Sequence, residues 1–270
     1  MSNFTAGMSE LWRWIPPFLY SWAVVAHWRG LLASPDASGK GRRIAGAMAV
    51  GGHGLQIVLL SIAFGRLPFG TMWEALSLSV LVLSSSYLLL ERLARSASLG
   101  VPFFLLSALG SLLVTLNEGP ARLQIISQPV LFSIHVALGV SGMGLLTTSG
   151  LLAAAWLLLY RLLRSRRFGN FEREMPDLAS LDRLFRAASG LGTSLLTVAA
   201  ILGVFWMQGA GFHLETVEWK AGTIVLVVIW NASIPLSRRF PGYAPTRAAW
   251  LGFLGLLPLA FAVWAGVRVL

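Results

Sequence analysis

Eight apolar runs divide the chain, and each is about as long as a helix that crosses a bilayer. About 20 apolar residues, each rising about 1.5 Å, span a hydrocarbon core about 30 Å thick. The runs cover roughly residues 12–33, 44–64, 73–91, 99–116, 129–160, 183–209, 220–237 and 248–268. This pattern predicts an all-α polytopic membrane protein with eight transmembrane helices in a single integral membrane domain, residues 1–270.

Basic residues collect at alternate ends of these runs. Sixteen of the twenty-one Lys and Arg follow the first, third, fifth and seventh runs. Such an excess marks the cytoplasmic side of a membrane protein. We therefore expect both termini to lie outside, together with the loops 65–72, 117–128 and 210–219. The segment at about 165–182 mixes apolar and charged residues at helical spacing, and it is predicted to lie along the cytoplasmic surface as an amphipathic element.

Composition agrees with this class and removes several kinds of chemistry. Hydrophobic residues make up 56% of the chain and charged residues 12%, against about 25% charged in an average soluble domain. The net charge of +10 lies in short loops between apolar runs, which is typical of membrane topology and not of nucleic-acid binding. The absence of cysteine excludes disulfides, thiolate metal sites and covalent haem attachment through this chain. The N-terminus lacks a basic segment followed by a short apolar run, so we expect no removable signal peptide.

Two of the four histidines lie deep within the predicted spans. His53 is about 14 Å from the cytoplasmic end of the second span, and His135 is about 9 Å from the outer end of the fifth. With a core of about 30 Å, these depths leave a vertical separation of roughly 7 Å. That offset permits a shared b-type haem with two axial histidines; hydrogen bonds to Ser, Thr or backbone would satisfy the imidazoles equally well.

The other ionisable candidates lie near the predicted membrane surfaces. His27 is interpreted as an interfacial residue that reaches water, and His213, in the outer loop with Glu218, as solvated or facing a partner. Glu74 opens the third span, where a carboxylate can cap the helix N-terminus or accept a proton from a quinol. No Ser/His/Asp set, phosphate-binding glycine loop or HExxH motif supports a hydrolase, nucleotide-driven or metalloprotease function.

Four segments in the same order resemble the cytochrome c assembly family of the CcsA type. They are GRLPFGTMWEALSLSVLVLSSSYLLLE (65–91), QPVLFSIHVALGVSGMGLLTTSGLLAAAWLL (128–158), LDRLFRAASGLGTSLLTVAAILGVFWMQGAG (181–211) and RRFPGYAPTRAAWLGFLG (238–255). Length, eight spans and the FEREMP motif before the sixth bring the chain closest to the short HemX/YpjD-like branch. The resemblance implies a CcsA-like core, a bacterial-type inner (cytoplasmic) membrane, and haem ligation by His135, which matches the family ligand position. His53 is similar to a histidine of the short branch.

The chain also departs from this family in its outer loop. Where haem-handling members carry the motif WGxYWxWDPKE, the chain reads GFHLETVEWK, so that Lys220 keeps its place and Glu218 stands for Asp. Ser237 occupies the place of a family histidine, and a further C-terminal histidine has no counterpart. The resemblance therefore implies neither a haem-presenting outer site nor full cytochrome c synthase activity. His213, Glu218 and Lys220 remain candidates for a polar or partner-binding site.

Three functional hypotheses follow. The first is a haem-associated accessory protein of cytochrome c biogenesis or tetrapyrrole metabolism, not an enzyme on its own, with haem b held by His53 and His135. The second is an integral subunit of a respiratory or photosynthetic electron-transfer complex that uses the same haem or lies beside a quinone. The third is a haem-free membrane scaffold. In each case we expect the partners to be the lipid bilayer and other membrane or cytochrome-complex subunits, and no nucleic acid.

Overall fold

The computed structural model describes residues 12–32, 39–94, 97–117, 130–165, 175–209, 218–239 and 244–267. Within these ranges the regular structure is entirely helical. The helices are α1 (Ile15–Leu32), α2 (Lys40–Phe64), α3 (Met72–Ala94), α4 (Gly100–Asn117), α5 (Val130–Arg164), α6 (Leu178–Gly209), α7 (Glu218–Leu236), α8 (Pro245–Leu254) and α9 (Leu256–Val267), with 3-10 turns at Ala97–Leu99 and Ser237–Arg239.

A helical segment coincides with each of the eight predicted spans. Within the described ranges, six helical segments are long and apolar enough to cross a membrane, and the sixth comprises α8 together with most of α9. The break between α8 and α9 falls at Gly255, three residues before Pro258, whose missing N–H weakens the helix at that turn. α1 has 18 residues, and α7 is a shorter apolar helix from Gly222 to Leu236. Many large apolar side chains on these helices are exposed, as expected of surfaces that meet lipid.

The chain forms two compact units. The first comprises residues 1–126 and 169–175, and its described helices are α1 to α4. Its core is aromatic and fully buried: Tyr20 from α1, Tyr87 from α3, and Phe103 and Phe104 from α4. Gly46 of α2 faces Phe104 so closely that a Cβ atom there would lie 2.9 Å from the ring. This core packs α2, α3 and α4 around the side chains of α1.

The second unit comprises residues 127–168 and 176–270, with α5 to α9. α5 and α6 meet backbone to backbone at Gly142 and Gly192, because neither residue has a side chain to hold the helices apart. Leu146, Leu196, Val227 and Leu259 form an apolar cluster between the helices. Close approach of the backbones thus fixes the register of the two longest helices.

Polar contacts position the N-terminal end of α6. Asp177 precedes the first residue of α6 and accepts hydrogen bonds from the backbone N–H and the hydroxyl of Ser180, at 2.8 and 2.7 Å. Arg186 is buried, and it donates to Asp182, to the backbone oxygen of Ile234 and to Ser237. Of the predicted amphipathic segment, residues 166–174 lie outside the described part of the chain, and Leu178–Asp182 belong to the first turns of α6.

Candidate functional site

His53 is enclosed in the first unit, where each of its ring nitrogens meets a hydroxyl group. Nδ1 lies 2.8 Å from the phenolic oxygen of Tyr20, and Nε2 lies 2.9 Å from Oγ of Ser77. The His53 side chain has 0% of its surface exposed, so it exchanges no hydrogen bond with bulk water. Both polar atoms of the imidazole are therefore satisfied within the unit.

This arrangement does not suit an axial haem ligand. A ligating histidine uses one nitrogen for the iron and donates an N–H from the other to an oriented acceptor. In His53 both nitrogens already have partners within 2.9 Å, so iron could bind only after Ser77 or Tyr20 had moved away. As these side chains stand, His53 does not fit the iron.

His135, in the second unit, has the opposite arrangement. Nδ1 lies 2.6 Å from the backbone oxygen of Ala199 on α6. A carbonyl oxygen can only accept, so in the neutral ring Nδ1 carries the proton and Nε2 carries the lone pair. The structure gives Nε2 no hydrogen-bond partner among the described residues. The half-buried His135 therefore presents an oriented imidazole whose Nε2 can bind a metal ion.

The space that His135 occupies is made by glycine. A Cβ atom on Gly203 would lie 2.6 Å from Cε1 and 2.9 Å from Nδ1 of the imidazole, so only glycine admits the ring in this position. One turn nearer the end of each helix, Phe132 of α5 and Trp206 of α6 place their rings 4.8 Å apart. The lone pair on Nε2 of His135 is compatible with binding iron, and aromatic side chains lie on the same two helices.

The shared haem predicted from helix depth stays a prediction. His53 belongs to the first unit and His135 to the second, and each has been described within its own unit. Within the described ranges, no group of three or more His, Cys, Asp or Glu side chains could hold a metal ion. His135 is thus a candidate axial ligand for a haem iron, because the porphyrin itself supplies most of the ligands of such an iron.

Glu74 forms an elaborate cap at the start of α3. Its two carboxylate oxygens accept from the guanidinium of Arg66 at 2.9 and 2.7 Å. One oxygen also accepts the backbone N–H groups of Gly70 and Thr71, and Thr71 accepts the N–H of Glu74 in return. The hydrogen bond with Glu74 raises the pKa of Arg66 further above its usual range. The pair ties the loop before α3 to the helix.

The interpretation of His27 as an interfacial residue is wrong. We expected it to reach water, but its side chain is fully buried between the rings of Tyr87 and Phe104 and against Gly100. Nδ1 donates to the backbone oxygen of Ala23 at 2.8 Å, and Nε2 has no hydrogen-bond partner among the described residues. Its place beside Trp28 and Arg29 gave no signal of this, because the glycine that admits the ring begins a helix 73 positions later in the chain.

Of the three outer-loop candidates, the structure describes two. His213 lies outside the described residues, and Glu218 and Lys220 fall in the first turn of α7, where only the helix itself is described. Ser237, which stands in place of a family histidine, lies at the end of α7 and accepts a hydrogen bond from Arg186. At that position Ser237 is therefore hydrogen-bonded to the guanidinium of Arg186.

Comparison with known proteins places these residues in a recognised group. A family model described as Cytochrome C assembly protein matches residues 56–266. The chain is similar to Protein HemX of Bacillus subtilis (strain 168), with 26% identity over 176 residues, which is 62% of this chain and 62% of that protein. It is also similar to Protein HemX of Brevibacillus brevis, with 26% identity over 211 residues, 74% of this chain and 75% of that protein. The match thus spans less than two thirds of the Bacillus protein and three quarters of the Brevibacillus one.

Proposed function

The chain belongs to the cytochrome c assembly protein family, and from this premise we propose that it is a haem-associated accessory membrane protein of cytochrome c biogenesis or tetrapyrrole metabolism. It acts with membrane or cytochrome-complex partners and not as an enzyme on its own. In this proposal the chain crosses a bacterial-type inner membrane eight times, with both termini outside. The Trp-rich outer motif is missing, so the haem stays within the membrane part of the protein.

The observation that carries this proposal is the geometry of His135. Ala199 fixes the tautomer and the rotation of the imidazole through a 2.6 Å hydrogen bond, and Nε2 is left to bind iron. A backbone acceptor cannot be titrated, so the ring keeps this tautomer. Haem b, when bound, supplies a one-electron redox centre whose potential its axial ligand helps to set.

The residues around His135 perform three tasks. Gly203 admits the imidazole between α5 and α6, and Ala199 orients it. Phe132 and Trp206 offer aromatic surface near the outer end of the same two helices. The hydrocarbon around the helices limits water, which strengthens the hydrogen bond to Ala199. This proposal takes one haem ligand from His135 and none from His53.

Absorption spectra of the purified full-length protein test the proposal. We expect a Soret band, and reduced-minus-oxidised α-band changes, in the unaltered protein and their loss or marked shift in His135→Ala. Thr147→Ala, on the same helix, removes a hydroxyl that donates only to the backbone oxygen of Met143 and serves as the control. An unaltered protein without a Soret band, after expression with added haem precursor, would refute haem binding.

A further inference from the structure

A buried chain of hydrogen bonds runs through the first unit and has no part in the haem proposal. It links Ser77 on α3, His53 on α2, Tyr20 on α1 and Ser84 on α3, in that order. Its three heavy-atom distances are 2.9 Å (Ser77 to His53), 2.8 Å (His53 to Tyr20) and 2.8 Å (Tyr20 to Ser84). His53, Tyr20 and Ser84 have 0% of their surface exposed. We call these four residues the hydroxyl–imidazole chain.

Every group in this chain can both donate and accept a proton. In one polarity Ser84 donates to Tyr20, Tyr20 to Nδ1 of His53, and Nε2 of His53 to Ser77. In the other polarity all three hydrogen bonds are reversed, and Ser84 donates instead to the backbone oxygen of Val80, 2.9 Å away. The heavy-atom positions serve both arrangements, because each hydroxyl and the neutral imidazole has one proton and at least one lone pair.

The polar face of α3 extends the chain toward both ends of the helix. Ser77, Ser84 and Glu91 are seven residues apart, which places them on one side of an α-helix. From Glu74 to Glu91 this face is about 26 Å long at about 1.5 Å per residue, close to the thickness of the hydrocarbon core. Ionised or ionisable residues stand at each end, and the hydroxyl–imidazole chain occupies the middle.

The two ends of this face reach charged groups that contact water. Glu91 is buried, and its Oε1 lies 3.5 Å from Nε of Arg43, whose side chain is 64% exposed. At the other end Glu74 is paired with Arg66 in the loop before α3. Among the described residues, Arg42 and Arg92 also lie near Glu91, and Tyr87, one turn earlier on α3, packs against His27. A proton can therefore be exchanged with solvent at either end of α3.

Helix packing alone does not call for such a chain. A single hydrogen bond would satisfy a polar side chain between helices, and serine achieves this by donating to the carbonyl four residues earlier, as Ser107 does on α4. Here an imidazole, which can accept a proton at one ring nitrogen and donate one from the other, is held between two hydroxyl groups. Neither ring nitrogen is bonded to a backbone carbonyl, which could only accept. This arrangement contains more exchangeable hydrogen bonds than are needed to satisfy one polar side chain, and it is suited to proton transfer.

We propose that the hydroxyl–imidazole chain is a proton relay, which moves protons along α3 between its Glu91 end and its Glu74 end. A proton arriving at Ser84 displaces the serine proton to Tyr20. The phenolic proton of Tyr20 then passes to Nδ1 of His53, and the Nε2 proton leaves through Ser77. One proton enters, one leaves and no electron moves. The chain returns to the first polarity when the hydroxyls rotate and one transiently entering water molecule takes the proton from Nδ1 of His53 and gives one to Nε2.

Proton flux into vesicles tests the relay. The full-length protein is reconstituted into phosphatidylcholine–phosphatidylglycerol vesicles that contain pyranine, with potassium and valinomycin to hold the membrane potential, and an external acid pulse is applied. We expect the unaltered protein to speed acidification over protein-free vesicles. Tyr20→Phe keeps the ring that stacks on Phe104 but removes the hydroxyl, so its rate should fall to that of protein-free vesicles. His53→Gln should behave in the same way.

Matched controls separate the relay from a general change in the helices. Ser84→Ala should lower the flux, whereas Ser85→Ala, at the exposed neighbouring position, should not. Tyr160→Phe removes a phenol from α5 and should also leave the flux unchanged. Equal flux in the unaltered and Tyr20→Phe proteins, or acidification by the unaltered protein no faster than in protein-free vesicles, would overturn the relay.

The spectrum of the His53→Gln variant distinguishes this inference from the haem proposal. The relay requires that His53→Gln keep the haem spectrum of the unaltered protein while it loses proton flux. A loss of the Soret band in His53→Gln equal to that in His135→Ala would show that His53 binds iron, and the relay would be overturned. Failure of the haem proposal would leave the flux result standing.

Discussion

The three histidines within the described helices differ in what their ring nitrogens contact. His53 meets two hydroxyls, whereas His27 and His135 each donate from Nδ1 to a backbone oxygen. Nε2 of His27 packs against Gly100, whereas Nε2 of His135 belongs to a half-buried side chain. Membrane depth alone could not distinguish these three environments, yet each one permits a different chemistry.

Gly203→Ala should disturb the haem site without disturbing the fold. The new methyl group would lie 2.6 Å from Cε1 of His135, so the imidazole must rotate away from the backbone oxygen of Ala199. We expect a shifted Soret band and a changed midpoint potential in redox titration. Gly209→Ala, at the end of the same helix, meets nothing within 4 Å and is the control. Identical spectra for Gly203→Ala and the unaltered protein would show that the orientation of His135 does not matter to the haem.

The candidate site was only partly visible in the sequence. The depths of His53 and His135 identified them as unusual, because a polar ring in hydrocarbon needs a partner. Their partners were not predictable: Tyr20 and Ser77 lie 33 and 24 residues from His53, and Ala199 lies 64 residues from His135. Such contacts depend on which helices are neighbours, and hydropathy carries no information about neighbours.

At the scale of helices, length was predictable and close packing was not. The thickness of a bilayer fixes how many apolar residues a span needs, so the predicted runs locate α2 to α6 within a few residues. α2 begins at Lys40 and α5 ends at Arg164, each four residues beyond the predicted run, because basic side chains continue a helix into the headgroup region. The break at Gly255 also went unpredicted.

Gly142→Ala should destabilise the α5–α6 pair. Its methyl group would lie 2.9 Å from the backbone oxygen of Gly192 and 3.0 Å from the backbone nitrogen of Leu196, and neither atom can move without moving α6. Overpacking of this kind costs about 1–3 kcal/mol. Gly139→Ala, one turn earlier, would make an ordinary contact at 3.8 Å with Ala199. Thermal unfolding in detergent should show a lower Tm for Gly142→Ala only, and equal Tm values would contradict this packing.

The cap of α6 predicts how its stability depends on pH. Hydrogen bonds from the hydroxyl and the backbone N–H of Ser180 lower the pKa of Asp177 below its usual value. A lowered carboxyl pKa stabilises the folded state above the unfolded pKa, about 3.9, and that contribution disappears as the pH falls through the folded value. Asp177→Ala should therefore lower the Tm at pH 7 and at pH 5, but hardly at all in strong acid.

Asp177→Asn provides the control for this pH dependence. The amide oxygen still accepts from Ser180 but carries no charge, so the Tm difference between Asp177→Asn and Asp177→Ala should not change with pH. A Tm deficit of Asp177→Ala that stayed constant down to strong acid would show that the charge of the carboxylate contributes nothing.

In each compact unit several polar side chains are buried and many large apolar side chains are exposed. Ser84, Ser107, Ser189 and Asn231 are buried, while large apolar side chains such as Phe18, Ile62 and Val130 are more than 70% exposed. In water this would be costly, but lipid removes the penalty for exposed apolar surface and raises that for exposed polar atoms. The two compact units follow this rule separately, and no feature of the hydropathy pattern predicted that division.

Single-cysteine labelling tests the sidedness of the spans in this protein, which has no native cysteine. The Arg- and Lys-rich ends should stay in the cytoplasm, because moving them across the membrane is costly. Cysteine in place of exposed Leu67, between α2 and α3, should react with a membrane-impermeant maleimide in intact spheroplasts. Gly41→Cys, at the start of α2, and Ser165→Cys, after α5, should react only after permeabilisation. Labelling of Gly41→Cys together with Leu67→Cys in intact spheroplasts would mean that α2 does not cross, and the depth assigned to His53 would be wrong.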